Sequence, residues 1–81
     1  MTIRLLYFAS FREHVGRDEE SRQLPEATSV RQLWERLSEE VPFFRQFPAM
    51  PPAAVNREYV RGERTLKEGD EVAFLPPVAG G

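Results

Sequence analysis

Eighty-one residues, 41% hydrophobic and 30% charged, have the composition of one small globular domain, which excludes a disordered chain and leaves no room for a deep cleft beside a core. The net charge is −2, and the ten arginines run from Arg4 to Arg64 interleaved with acids, so no basic stripe forms and a nucleic-acid partner is not expected. With no cysteine there is no disulfide framework, thiolate metal site or cysteine nucleophile.

The first residues, MTIRLLYFAS, lack the apolar run and cleavage site of a signal peptide, and no stretch approaches about 18 apolar residues. A cytoplasmic chain without a membrane partner is expected. Residues 3–9 read as a strand. With Arg4 facing solvent, Leu6 and Phe8 share its face, while Ile3, Leu5 and Tyr7 point to the core. Ser10 opens a short helical segment, Phe11 to Val15, stopped by Gly16. Residues 20–24 follow a polar turn and are placed as a second strand paired with the first.

The clearest local signal is a helix from Ser29 to Glu40. Ser29 with Gln32 fits a capping box, and Val30, Leu33, Trp34, Leu37 and Val41 form one apolar stripe. Burying these five contributes on the order of 10 kcal/mol before conformational entropy is set against it. Pro42 ends the helix. The run FFRQFPAMPP that follows is neither helical nor alternating and reads as a long connection packed on the body by its aromatics. Ala53 to Asn56 and Tyr59-Val60 read as short strands, Arg61-Gly62 and Lys67 to Asp70 as turns, and Glu71 to Leu75 as the last strand. With Glu71 facing solvent, Val72 and Phe74 fill the core, and Ala73 and Leu75 face outward.

A helix with one apolar stripe and a half-buried sheet cover each other, which predicts a two-layer α+β body: a mixed sheet covered on one face by the helix. If the first and last strands are central neighbours, Leu6, Phe8 and Leu75 fall on the uncovered face, joined by Tyr59. Such a patch marks a docking surface. The division is a body over residues 1–75 and a C-terminal tail over 76–81.

No residue cluster offers catalysis. His14 stands alone without metal-ligand spacing, so no metal site is expected. Glu39 and Glu40 are adjacent and diverge on a helix, and Gly16, Gly62 and Gly69 are turn glycines rather than a phosphate loop. The chain is therefore not expected to be a stand-alone enzyme. What remains is the tail Pro76-Pro77-Val78-Ala79-Gly80-Gly81. Its prolines favour an extended strut, its glycines can thread a narrow slot, and six residues reach roughly 20 Å. The Gly81 carboxylate, once activated as an acyl-adenylate, can accept sulfur or an amine.

The stretch Leu5 to Ala9 with Phe11-Arg12-Glu13, the segment Ala54-Val55-Asn56, and the ending GDEVAFLPPVAGG from Gly69 to Gly81 resemble the small subunits of molybdopterin synthase over essentially the whole chain. The resemblance implies a ubiquitin-like β-grasp fold. It implies that an adenylating enzyme of the ubiquitin-activating type places AMP transiently on Gly81 and that a sulfur donor protein converts it to a thiocarboxylate. The large synthase subunit, in a heterotetramer, would use two such sulfurs for the dithiolene of molybdopterin. On this reading the body binds no cofactor, Val78, Ala79 and Gly80 permit insertion, and Leu6, Phe8, Tyr59 and Leu75 dock the partner. A carrier for thiamine or cysteine synthesis, a lysine-conjugated modifier and an inert interaction module are the alternatives. The FFRQFPAMPP run matches no family motif.

Overall fold

The fold comes from a computed structural model and is described for residues 1–76. Val78, Ala79, Gly80 and Gly81 lie outside the described residues. The strands are β1 (Thr2–Leu6), β2 (Glu19–Gln23), β3 (Ala53–Val55), β4 (Glu58–Val60) and β5 (Glu71–Phe74), and the helices are α1 (Ala9–Val15) and α2 (Val30–Glu40). The sheet order is β2-β1-β5-β3-β4, with β1 and β5 parallel neighbours at its centre and the other pairs antiparallel. This is the mixed sheet of a ubiquitin-like β-grasp.

The strand alternation holds. Ile3, Leu5, Tyr7, Val55, Val72 and Phe74 are buried on the covered face against Val30, Leu33, Trp34 and Leu37 of α2. Strand β1 stops at Leu6 rather than running to residue 9, because Ala9 takes a left-handed φ of 48° and turns the chain into α1. Gly16, at φ 87°, then closes α1 by donating its N–H to the Arg12 carbonyl. Helix α2 is held at both ends. At its N-terminus Ser29 and Gln32 form the capping box, while the Val30 and Arg31 N–H groups, which have no partner inside the helix, donate to the carbonyls of Arg64 and Gly62.

At its C-terminus the structure corrects the reading of the following run as non-helical. Pro42–Gln46 is a turn and a half of 3₁₀ helix. Proline suits its first position, having no N–H to lose, and the i to i+3 spacing puts Phe44 and Phe47 on one side. Arg45 folds back from this turn and donates to the carbonyls of Ser38 and Glu39, at 2.8 Å each, satisfying two acceptors that the helix leaves open. The aromatics do pack as the composition implied: Phe44 is buried, 4.9 Å from Phe11 and 5.1 Å from Trp34 between ring centres, and Trp34 lies 5.1 Å from Phe74. His14 stacks on Phe43 at 3.5 Å.

One arginine is held tightly between the sheet and α2. Arg22 points to the helix side of β2, where it makes a bidentate pair with Glu40 at 2.7 Å through each nitrogen, and Glu20 beside it accepts a 2.6 Å hydrogen bond from the Tyr7 hydroxyl. The pairing with Arg22 holds the Glu40 carboxyl below its ordinary range, and burial, followed by the bond to Glu20, pushes the Tyr7 phenol up. This clasp joins the open edge of the sheet to the end of α2. Among the described residues no helix is long and apolar enough to cross a membrane.

Candidate docking face and tail root

The face of the sheet away from α2 is built in rows set by register. One row crosses all five strands: Glu19, Leu6, Ala73, Ala54 and Tyr59 are successive cross-strand partners. The two alanines at its centre have no bulk to raise the surface, so the sheet is hollowed between Leu6 and Tyr59. A depression of about 480 Å³ results, with Leu6, Phe8, Ala54, Ala73 and Leu75 as its apolar floor. Of the residues singled out in the sequence, Leu6, Phe8 and Leu75 meet here. Tyr59 shares their face, and the row of Leu6, but lies on the edge strand, outside the depression.

Leu6 and Leu75 are half-buried. Phe8 and Tyr59 are the exposed large hydrophobic residues among those described, at 45% and 75% of their surface. Strand β5 runs between β1 and β3 and delivers Leu75 to this depression, where the Leu75 N–H donates to the Pro52 carbonyl at 2.8 Å. Pro76, next in line, has no N–H to continue a ladder. The tail thus leaves from the end of the central strand, tied there to the residue that precedes β3.

The rim is charged, which sequence reading missed. Arg4 and Glu71 face each other across β1 and β5 and pair at 2.5 Å. Arg57 approaches the other oxygen of Glu71 at 3.7 Å, and Arg12 lies 3.8 Å from Asp18. Arg4, Arg12, Arg57, Asp18, Glu19 and Glu71 all border the depression. The β3-β4 turn is Asn56-Arg57, both with positive φ, 51° and 71°, as hairpins joined by two residues require. Asparagine tolerates this, but glycine is the usual second residue, and an arginine there costs about 1–2 kcal/mol. The signal in the sequence is Asn56 between two short apolar runs; the strand ends at Val55 rather than Asn56, because Asn56 is the first residue of the turn.

Asp70, read only as part of a turn, is a further residue that the sequence did not reveal. It is 7% exposed, and its carboxylate accepts from the Asn56 amide at 3.0 Å and the Lys67 N–H at 2.8 Å. Asn56 in turn bonds both backbone groups of Glu71. Gly69, at φ 82°, lets the chain turn into this position. The Asn56 and Gly69-Asp70 segments that carried the resemblance are therefore one structural unit, which fixes the start of β5 and aims Arg57 over the open face.

A β-grasp body with one helix-covered face, one apolar open face and a central last strand defines the ubiquitin-like class of small proteins. The chain belongs to the ThiS family, whose model matches residues 5–81. It is 36% identical to the molybdopterin synthase sulfur carrier subunit of Chlamydomonas reinhardtii over the full length of both chains, and 38% identical to that of Escherichia coli over 98% of this chain and 99% of the relative. A solved structure described as molybdopterin converting factor subunit 1 from Pyrococcus furiosus superposes with a TM-score of 0.85 at 36% identity, covering 96% of this chain and 99% of that one.

Proposed function

We propose that this chain is the sulfur carrier subunit of a molybdopterin synthase. The observation that carries the reading is the extent of the family match, which runs through the whole GDEVAFLPPVAGG ending to Gly81, with relatives of that name aligned along their full length. A carboxylate is a poor electrophile, so an adenylating enzyme of the ubiquitin-activating type first joins the Gly81 carboxylate to AMP. Sulfide released at a donor protein then attacks the acyl carbon, AMP departs with the C–O electron pair, the S–H proton passes to solvent, and a thiocarboxylate remains. The large subunit draws on two such carriers in a heterotetramer to form the dithiolene.

In this division of labour the body binds no cofactor, and sulfur or AMP resides only transiently on Gly81. Val78, Ala79 and Gly80 pass through the partner's channel. Leu6, Phe8, Leu75 and Tyr59 supply the apolar contact that holds the body at the channel mouth, a role supported by their common face and by the position of Leu75 at the tail root.

The test is the intact mass of the protein isolated from its host, beside a variant with one residue appended after Gly81. The native chain is expected to show an oxygen-to-sulfur mass increase, and the extended variant none. A ladder of conjugates to other proteins would assign the chain to the modifiers instead. An unchanged native mass under conditions of active molybdopterin synthesis would overturn the proposal.

A further inference from the structure

The hairpin turn beside the open face holds an arginine where glycine is the usual residue, and the described residues give that guanidinium little to do. Arg57 sits at φ 71°, its side chain is 88% exposed, and its one ion-pair contact among the described residues is the 3.7 Å approach to Glu71. The other oxygen of Glu71 is already paired with Arg4. Two cations share one carboxylate, so the rim at this end of the depression carries more positive than negative side chains. At the β2 flank the balance is reversed, with Asp18 and Glu19 set against Arg12. The two-residue hairpin itself requires the positive φ, but it does not require an arginine there, where glycine would carry no strain.

We propose that Arg57 is a specificity-determining contact with the docking partner, pairing with a carboxylate on that protein's surface. The proposal rests on the docking reading given above and adds a ruler to it. Arg4 and Glu71 form one row, Leu6 and Ala73 the next, and Leu75 stands two residues further on. Four strand residues at about 3.3 Å each separate the Arg57 end from the tail root by about 13 Å. The partner is therefore a protein surface with apolar side chains for the floor and an acidic side chain about 13 Å from the channel that receives the tail. Because the two flanks of the depression differ in sign, the same charges set the orientation in which the body approaches.

The experiment compares wild type, Arg57→Gly, Arg57→Lys and Leu75→Asp for thermal unfolding and for calorimetric affinity to the large synthase subunit of the same organism, in about 50 mM and about 500 mM salt. Glycine takes φ 71° without strain, so Arg57→Gly is expected to melt at or above the wild-type temperature. It is expected to bind about fivefold more weakly in low salt, with the difference closing in high salt and Arg57→Lys recovering part of it. Unchanged affinity of Arg57→Gly in low salt, with Leu75→Asp impaired, would leave the face as the docking surface and overturn the role of Arg57. Unchanged affinity of Leu75→Asp would overturn the docking reading and this proposal with it. A fall in melting temperature parallel to the loss of affinity would assign Arg57 to the hairpin and likewise overturn the proposal.

Discussion

Replacing Tyr59 with alanine separates what this side chain does for the fold from what it does for docking. A tyrosine presents about 200 Å², and 75% of Tyr59 is exposed, so about 150 Å² is free and about 50 Å² is packed on the sheet. At about 25 cal/mol per Å² the packed part stabilises the body by about 1 kcal/mol, and lost strand propensity adds up to about 1 kcal/mol more. That is small beside the roughly 5–15 kcal/mol of an ordinary domain, so the variant stays folded. The free part is worth up to about 4 kcal/mol if a partner covers it, of which association and side-chain ordering remove a share. A net loss of about 2 kcal/mol raises Kd about 30-fold. Calorimetric titration of the large synthase subunit, with circular dichroism melting as the control for folding, reads both numbers. A Kd within about threefold of wild type, equivalent to roughly 0.6 kcal/mol, would show that the contact ends at the depression and that a shared row does not make Tyr59 part of it.

Ser29→Ala removes the capping box and is expected to cost about 1 kcal/mol, lowering the melting temperature by roughly 4–8 °C. A shift under about 1 °C in a thermal melt would show that the carbonyls of Gly62 and Arg64 hold the helix N-terminus by themselves. Arg22→Gln tests the clasp at the other end of α2. The Glu40 pKa is depressed in the folded state, so its contribution is present above the ordinary carboxylate range and is lost as pH falls through the depressed value. Because the Glu40 side chain is 45% exposed, the pair is worth only about 1 kcal/mol near neutral pH. Denaturant unfolding at pH 7 and at a series of acidic pH values is expected to show the wild-type advantage at pH 7 and its progressive loss as the pH falls below the ordinary carboxylate range. An advantage independent of pH would mean that Arg22 acts through packing of its aliphatic stem.

Patterns confined to one element were legible in the sequence. The capping box needs only Ser29 and Gln32, the core stripe of α2 needs only helical periodicity, and the two faces of β1 and β5 follow from Arg4 and Glu71 facing water, because each of these is dictated by local backbone geometry. The apolar open face could be anticipated by parity once β1 and β5 were taken as neighbours. The ending from Gly69 to Gly81 pointed to the family to which the chain belongs. The 3₁₀ turn after α2 was not legible, since its stability comes from Arg45 reaching carbonyls six and seven residues earlier and from Phe44 entering an aromatic cluster assembled from four elements.

Only the tertiary structure decided what borders the candidate site. Arg4, Arg57 and Glu71 are brought together by the parallel pairing of the first and last strands and by a hairpin turn between them in the chain, and Asp70 gains its partners only when that turn docks on the start of β5. Side-chain periodicity determines which face a residue takes. Strand order and register determine its neighbours, and these depend on contacts between segments far apart in sequence, which no local pattern encodes.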